Sequence, residues 1–208
     1  MPSLRALTAL AVLVSTALLA PPAQAATTAE TSAATTYRGE GDQVLRIRAT
    51  TKPGIMKITH DGEGYFSVWT LKSNGKENDL LVSAGELYKG TVAYNTSASG
   101  STAALKISAD GVWTVQLLPF SKARSWSITT RGSGDDVLRL AKTSVGLRTL
   151  RIRHTGEGYF SVWAVNANGR LHDLLVSETD AYSGSVPLPA GTRYAVVKAS
   201  GPWSIVRR

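Results

Sequence analysis

The chain has 208 residues, a formal net charge of +8 and no cysteine. The missing thiols exclude cysteine nucleophiles, Cys-ligated zinc and iron–sulfur clusters, and leave no disulfide staple, so each folding unit must hold itself together by burial. The basic excess predicts attraction to anionic polymers such as teichoic acids, acidic polysaccharide or extracellular nucleic acid, although plain solubility explains the same charge. The cations are scattered through candidate strands rather than clustered, which argues against specific nucleic-acid recognition.

In chain order, the first element is a targeting segment. Arg5 and the amino terminus supply a positive start, and Ala6 to Ala20 are apolar apart from Thr8, Ser15 and Thr16. Ala23-Gln24-Ala25 has the small-residue pattern of a processing site. Residues 1–25 are therefore expected to be a cleaved signal peptide, with an uncleaved anchor as the alternative. No later apolar run reaches membrane length, so no membrane span is expected in the mature form. The expected location is secreted, extracellular or cell-wall associated. Residues 26–36, rich in Thr and Ala, are expected to form a flexible leader.

The remainder is one unit written twice. Gly62-Glu63-Gly64-Tyr65-Phe66-Ser67-Val68-Trp69 recurs without change as Gly156-Glu157-Gly158-Tyr159-Phe160-Ser161-Val162-Trp163. Asp79-Leu80-Leu81-Val82-Ser83 recurs as Asp173-Leu174-Leu175-Val176-Ser177, and Gly111-Val112-Trp113 is echoed by Gly201-Pro202-Trp203. Such repetition sets the architecture before any other signal. Repeat 1 is expected over 37–121 and repeat 2 over 127–208, with 122–127 as a short joint whose Trp126 suggests that the units touch.

Each copy alternates apolar and polar residues with period two. Met56, Ile58 and His60 fall on one side of a strand, as do Leu150, Ile152 and His154. The β-branched and aromatic run Phe66–Trp69 leads to Asn74-Gly75, matched by Asn168-Gly169, a pair suited to a tight hairpin with positive φ at both central residues. Further strands are expected at 80–82, 90–94, 103–108 and 113–117, and at the matching places of copy two. No helical periodicity is sustained. The expected fold class is all-β: two homologous jelly-roll or β-sandwich domains in tandem after the signal peptide.

The order of strand, Gly-rich turn, Asn-Gly hairpin and the closing pair Pro189-Ala190-Gly191-Thr192-Arg193-Tyr194-Ala195-Val196-Val197 and Gly201-Pro202-Trp203-Ser204-Ile205 resembles the bacterial pre-peptidase C-terminal domain family. It is similar in particular to tandem β-sandwich repeats of secreted actinobacterial proteins. The resemblance implies an accessory or binding module. Collagen-binding relatives hold calcium with clustered acids, where this chain has Glu63 or Glu157 beside glycines; calcium binding by the Gly-Asp turns is left open.

Candidate chemistry is sparse. His60 and His154 sit at equivalent strand ends and are expected to be hydrogen-bonded at the rim of the core, while His172 is expected in an exposed loop. No motif marks a nucleophilic serine, and no set of residues converges as metal ligands. Asp42, Asp135 and Asp136 follow glycines and are expected to bond nearby backbone N–H groups. Glu63 and Glu157, one in each repeat, cannot be expected to flank one scissile bond. No catalytic residue, metal site or cofactor is assigned.

The aromatics carry the functional argument. If Phe66 and Val68 face the core, Tyr65 and Trp69 form an exposed platform, and Tyr159 and Trp163 repeat it; flat rings of this kind stack on sugars. The alternative is burial of these rings between sheets or between repeats. The expected function is a non-enzymatic module binding polysaccharide or a cell-envelope polymer, with two weak sites raising avidity. A secreted protein partner, as for an inhibitor or accessory factor, is the alternative.

Overall fold

The period-two patterns become strands at nearly every expected place. The computed structural model describes residues 34–208 apart from residue 147. The signal segment 1–25 and the leader up to residue 33 lie outside the described residues. The first copy contains β1 (Thr35–Glu40), β2 (Gln43–Thr50), β3 (Gly54–His60), β4 (Phe66–Leu71), β5 (Glu77–Ala84), β6 (Tyr88–Tyr94), β7 (Thr102–Ser108) and β8 (Val112–Leu118). The second contains β9 (Arg124–Ser125), β10 (Thr129–Ser133), β11 (Asp136–Arg139), β12 (Arg148–His154), β13 (Tyr159–Asn166), β14 (Leu171–Thr179), β15 (Tyr182–Leu188), β16 (Thr192–Ala199) and β17 (Pro202–Arg207). A short 3-10 turn, Phe120–Lys122, separates them.

The strands form antiparallel sheets ordered β1-β8-β3-β6 and β2-β7-β4-β5 in the first copy. The second copy repeats them as β10-β17-β12-β15 and β14-β13-β16-β11, with β9 added by a short parallel pairing to β11. In each copy the inward residues of both sheets meet in one core. Met56, Ile58, Val92 and Val115 of one sheet pack with Phe66, Val68, Leu105 and Ile107 of the other. Leu150, Ile152 and Ile205 pack with Phe160, Val162 and Val197 in the same way. The architecture is all-β and sandwich-like.

Shared residues are explained by shared packing. Trp113 and Trp203 are buried closures whose indole N–H groups donate to the carbonyls of Gly41 at 3.0 Å and Gly134 at 2.8 Å. Gly39 and Gly132 underlie the same rings: a Cβ there would come within 2.3 Å and 2.4 Å of the indoles. His60 stacks on Phe66 at 4.3 Å and His154 on Phe160 at 4.5 Å, both rings nearly parallel and buried. Gly62 and Gly156 close the turn over those imidazoles, since a Cβ would lie 2.6 Å and 2.8 Å from Nε2. Gly62, Phe66 and Val68 of the repeated octapeptide, with their twins Gly156, Phe160 and Val162, are thus required by the fold.

Four expectations need correction. Thr35 and Thr36, expected in the leader, pair with Leu117 and Gln116 in β1; an exposed edge strand lacks the apolar alternation that would have marked it. The joint 122–127 contributes β9 and the buried Trp126 to the second copy. The hairpins are three-residue loops with positive φ at glycine alone: the Gly75 N–H donates to the Lys72 carbonyl and that of Gly169 to the Asn166 carbonyl, a type I turn followed by a left-handed glycine. His172, expected in a loop, is exposed on β14.

Candidate functional site

The repeated aromatics lie on the outer face of the hairpin-bearing sheet, opposite the core. Alternation along β4 sends Phe66 and Val68 inward and Ser67 and Trp69 outward. Trp69 is flanked by Leu80 of β5 and Lys106 of β7, and Lys106 in turn faces Val44 of β2. The Lys106 ammonium donates to Glu77 at 2.8 Å, a bond that raises its pKa. Tyr65 is 56 % exposed, and its hydroxyl lies 3.4 Å from Ser83 Oγ on the same outer face. Val44 is 62 % exposed and Arg46 is also exposed. Half-buried Trp69 therefore lies within a mixed polar and apolar face that is wet at its margins.

The same face of repeat 2 is partly covered by repeat 1, with Tyr159, Leu171 and Leu174 left exposed. Trp163 is flanked by Leu174 and Val196, and Val196 by Val137. Val137, Val165, Tyr194 and Val196 join Ile55, Leu118, Phe120 and Ala123 of the first copy and the joint in one buried cluster, against which Trp163 packs. Polar contacts surround it. The Thr91 N–H of β6 donates to the Asp135 carbonyl at 3.0 Å, and the Tyr88 hydroxyl donates to Asp135 Oδ2 at 2.7 Å. Arg170, beside the second hairpin, donates to the carbonyls of Asn95, Ser97 and Thr51. Trp69 and Trp163 are both half-buried and Tyr65 and Tyr159 both exposed, so the repeats differ in what lies beside the rings rather than in the exposure of the rings.

The two tyrosines separate as well. Tyr159 is 47 % exposed but lies on the wall of a groove of about 590 Å³ between the repeats, with Tyr88, Lys89, Asp135 and Lys198. Burial lifts the Asp135 carboxyl above the ordinary aspartate value, against the lowering pull of Tyr88, the Ala199 N–H and Lys198. Burial, followed by the Asp135 charge and hydrogen bond, pushes the Tyr88 hydroxyl well above its usual range.

Asp136 accepts from the adjacent Val137 N–H at 2.8 Å, as expected of a turn carboxylate, whereas Asp42 and Asp135 act over long sequence separations. The Asp42 carboxylate accepts from the Ala109 N–H at 2.9 Å and that of Asp135 from Ala199 at 3.1 Å, tying the start of each repeat to its penultimate strand. Reading the sequence also missed the carboxylates that hold the Gly-Glu-Gly turns. Gly64 N–H donates to Asp110 at 2.7 Å, whereas Gly158 N–H donates to Asp180 at 3.2 Å, from a different loop. The two carboxylates occupy unmatched positions in the repeat, so alignment of the copies could not pair them. His60 Nε2 is 3.1 Å from Asp110 Oδ1, an ion-pair distance without hydrogen-bond geometry, and His154 Nδ1 lies 2.8 Å from the Asp180 carbonyl. Among the described residues no group of three His, Asp or Glu side chains is arranged to hold a metal ion.

No family model matches the chain, and no curated protein matches it. Among solved structures it is similar to the regulatory subunit of a cAMP-independent protein kinase A from Trypanosoma cruzi bound to guanosine, at 10 % identity over 84 % of this chain and 72 % of that one. The TM-score is 0.25, and this likeness carries no argument about fold or function.

Proposed function

We propose that the chain is a secreted, non-catalytic module that binds extracellular or cell-envelope polysaccharide through the outer face of the β2-β7-β4-β5 sheet. The observation that carries this reading is the difference between the twin faces: beside Trp163, Val196 and Tyr194 are buried in the inter-repeat cluster, while beside Trp69 stands the solvent-exposed Lys106–Glu77 pair. A sheet face that presents rings with hydroxyl and charged groups beside them suits an extended sugar chain, whose apolar ring faces stack while its hydroxyls bond at the margins. The module then has one aromatic site rather than two, and avidity between equivalent sites within a chain does not arise. The location rests on the N-terminal sequence 1–25, and the accessory role agrees with the resemblance to pre-peptidase C-terminal domains.

Co-sedimentation with isolated cell wall and insoluble polysaccharide tests the reading. Binding is expected to survive about 1 M salt, where the screening length falls to about 3 Å. Trp69→Ala is expected to weaken it at least about tenfold, as loss of an aromatic anchor does. Trp163→Ala is expected to bind like the parent but to lose about 2 kcal/mol of stability from the repeat interface. Binding that disappears with salt and ignores Trp69→Ala would reduce the interaction to charge attraction and overturn the proposal. A protein partner is the second reading, favoured by the fact that the equivalent face of repeat 2 is partly covered by protein and by the exposed Val44 and Leu80.

A further inference from the structure

We propose that repeat 2 carries a second, independent site, a cavity that takes a phosphate ester with a short apolar body. The cavity has a volume of about 500 Å³, within the roughly 300–1,000 Å³ typical of small-ligand sites. Four cations line it, Lys142, Arg148, Arg207 and Arg208, and among the described residues no acidic side chain does. An excess of like charges repels itself, and an anion between them lowers that cost. Arg207 is already held in place: its Nε donates to the Ser127 carbonyl and its Nη2 to the Trp126 carbonyl, each at 3.2 Å, with the guanidinium over the Trp126 ring. Burial and the neighbouring Arg148 charge both lower the Arg207 pKa, in line with a shared positive potential.

Two further observations point to a ligand. Ser144 also lines the cavity, is 9 % exposed, and has a buried hydroxyl without a hydrogen-bond partner. A buried hydroxyl left unbonded is costly; the oxygen is shielded from solvent, so a turn of the Ser144 side chain toward the cavity would be needed for a phosphate oxygen to satisfy it. The walls are apolar, formed by Leu140 and Leu188 and by Ile128 and Val145, which are 67 % and 76 % exposed. Those walls suit an organic body rather than a free ion. Phosphate fits the donors best, because guanidinium forks match its oxygens and a dianion balances several cations.

The repeat makes this corner a built feature. Arg207 faces Leu150 where Leu117 faces Met56, and Arg208 exchanges backbone bonds with Thr149 where Leu118 faces Ile55. Arg148 likewise stands where repeat 1 has Gly54. In repeat 1 Ile55 and Leu118 are buried in the inter-repeat cluster. Repeat 2 places arginines where repeat 1 places the leucines.

Isothermal titration of the purified protein with monobutyl phosphate, inorganic phosphate and butyrate tests the site. Monobutyl phosphate is expected to bind most tightly, inorganic phosphate more weakly, and butyrate least. Arg148→Glu and Lys142→Glu, both at exposed positions, are expected to weaken monobutyl phosphate at least about tenfold each with the thermal unfolding midpoint unchanged. Ser144→Ala should weaken it less. Equal binding by the parent and both charge-reversal variants, butyrate binding as tightly as monobutyl phosphate, or no heat up to about 10 mM ligand would each overturn the proposal.

Discussion

In the first repeat Trp69 stands between Lys106 and Leu80 on a face with solvent at its margins; in the second Trp163 stands between Val196 and Leu174 against the other repeat. The eight residues around each tryptophan are the same. What differs is the cross-strand neighbours. The Lys106–Glu77 ion pair of repeat 1 is replaced by Val196 and Leu171, and Ala104 by Tyr194, whose ring packs tilted against Phe120 at 4.9 Å. Replacing an ion pair with apolar side chains turns a solvated face into a docking face, because apolar area removed from water stabilises by roughly 25 cal/mol per Å² whereas a buried unpaired charge is costly. Identical motifs acquire different roles through the strand beside them.

Three changes test that account, beginning with the one of largest expected effect. Val196→Lys puts the repeat 1 residue into the interface and is expected to cost at least about 3 kcal/mol, since the ammonium would be buried without Glu77 to meet it. Chemical denaturation should then show the repeats unfolding in separate transitions. A single unshifted transition would mean that the apolar cluster does not couple them.

The paired hairpin glycines come next. Gly75→Ala and Gly169→Ala each place alanine at positive φ, costing about 1 kcal/mol. Nothing lies within 4 Å of a Cβ on Gly75, whereas at Gly169 it would come 2.7 Å from Pro53 and 3.1 Å from Phe120. Gly169→Ala should therefore lose about 1–2 kcal/mol more than Gly75→Ala in parallel urea melts. Equal losses would show that the second hairpin does not rest on repeat 1.

The smallest effect concerns pH. Because burial raises the folded-state pKa of Asp135 above the ordinary 3.8, the folded protein holds that proton more tightly than the unfolded chain. Its contribution is fully present below that ordinary value and is lost as pH rises through the raised one. Asp135→Asn lacks this titration, so the stability of the parent relative to the variant should fall between acid and neutral pH. A relative gain over the same range would show that the donors from Tyr88 and Ala199 outweigh burial.

The inward half of the fold was legible because period-two alternation and repetition report directly on burial. Met56, Ile58, Phe66 and Val68 are core, as are Leu150, Ile152, Phe160 and Val162, and the closing tryptophans are buried. Less legible were features set by partners distant in sequence. β1 has an exposed pattern and exists because β8 offers it a hydrogen-bonding edge. Asp110 and Asp180 support equivalent turns from unmatched loops.

By itself, then, the sequence determined an all-β chain of two copies with a defined inward face, since strand alternation and copy-to-copy identity are local properties of the residues. The tertiary structure decided which outward face stays wet. That depends on Val196, Tyr194 and Leu171 lying beside Trp163 across two strand pairings, while Lys106, Ala104 and Glu77 lie beside Trp69. It also brought Arg207 of the last strand to the segment that carries Lys142 and Arg148, around one cavity. Proximity between strands is set by register and sheet order, and a run of residues read one after another does not contain it.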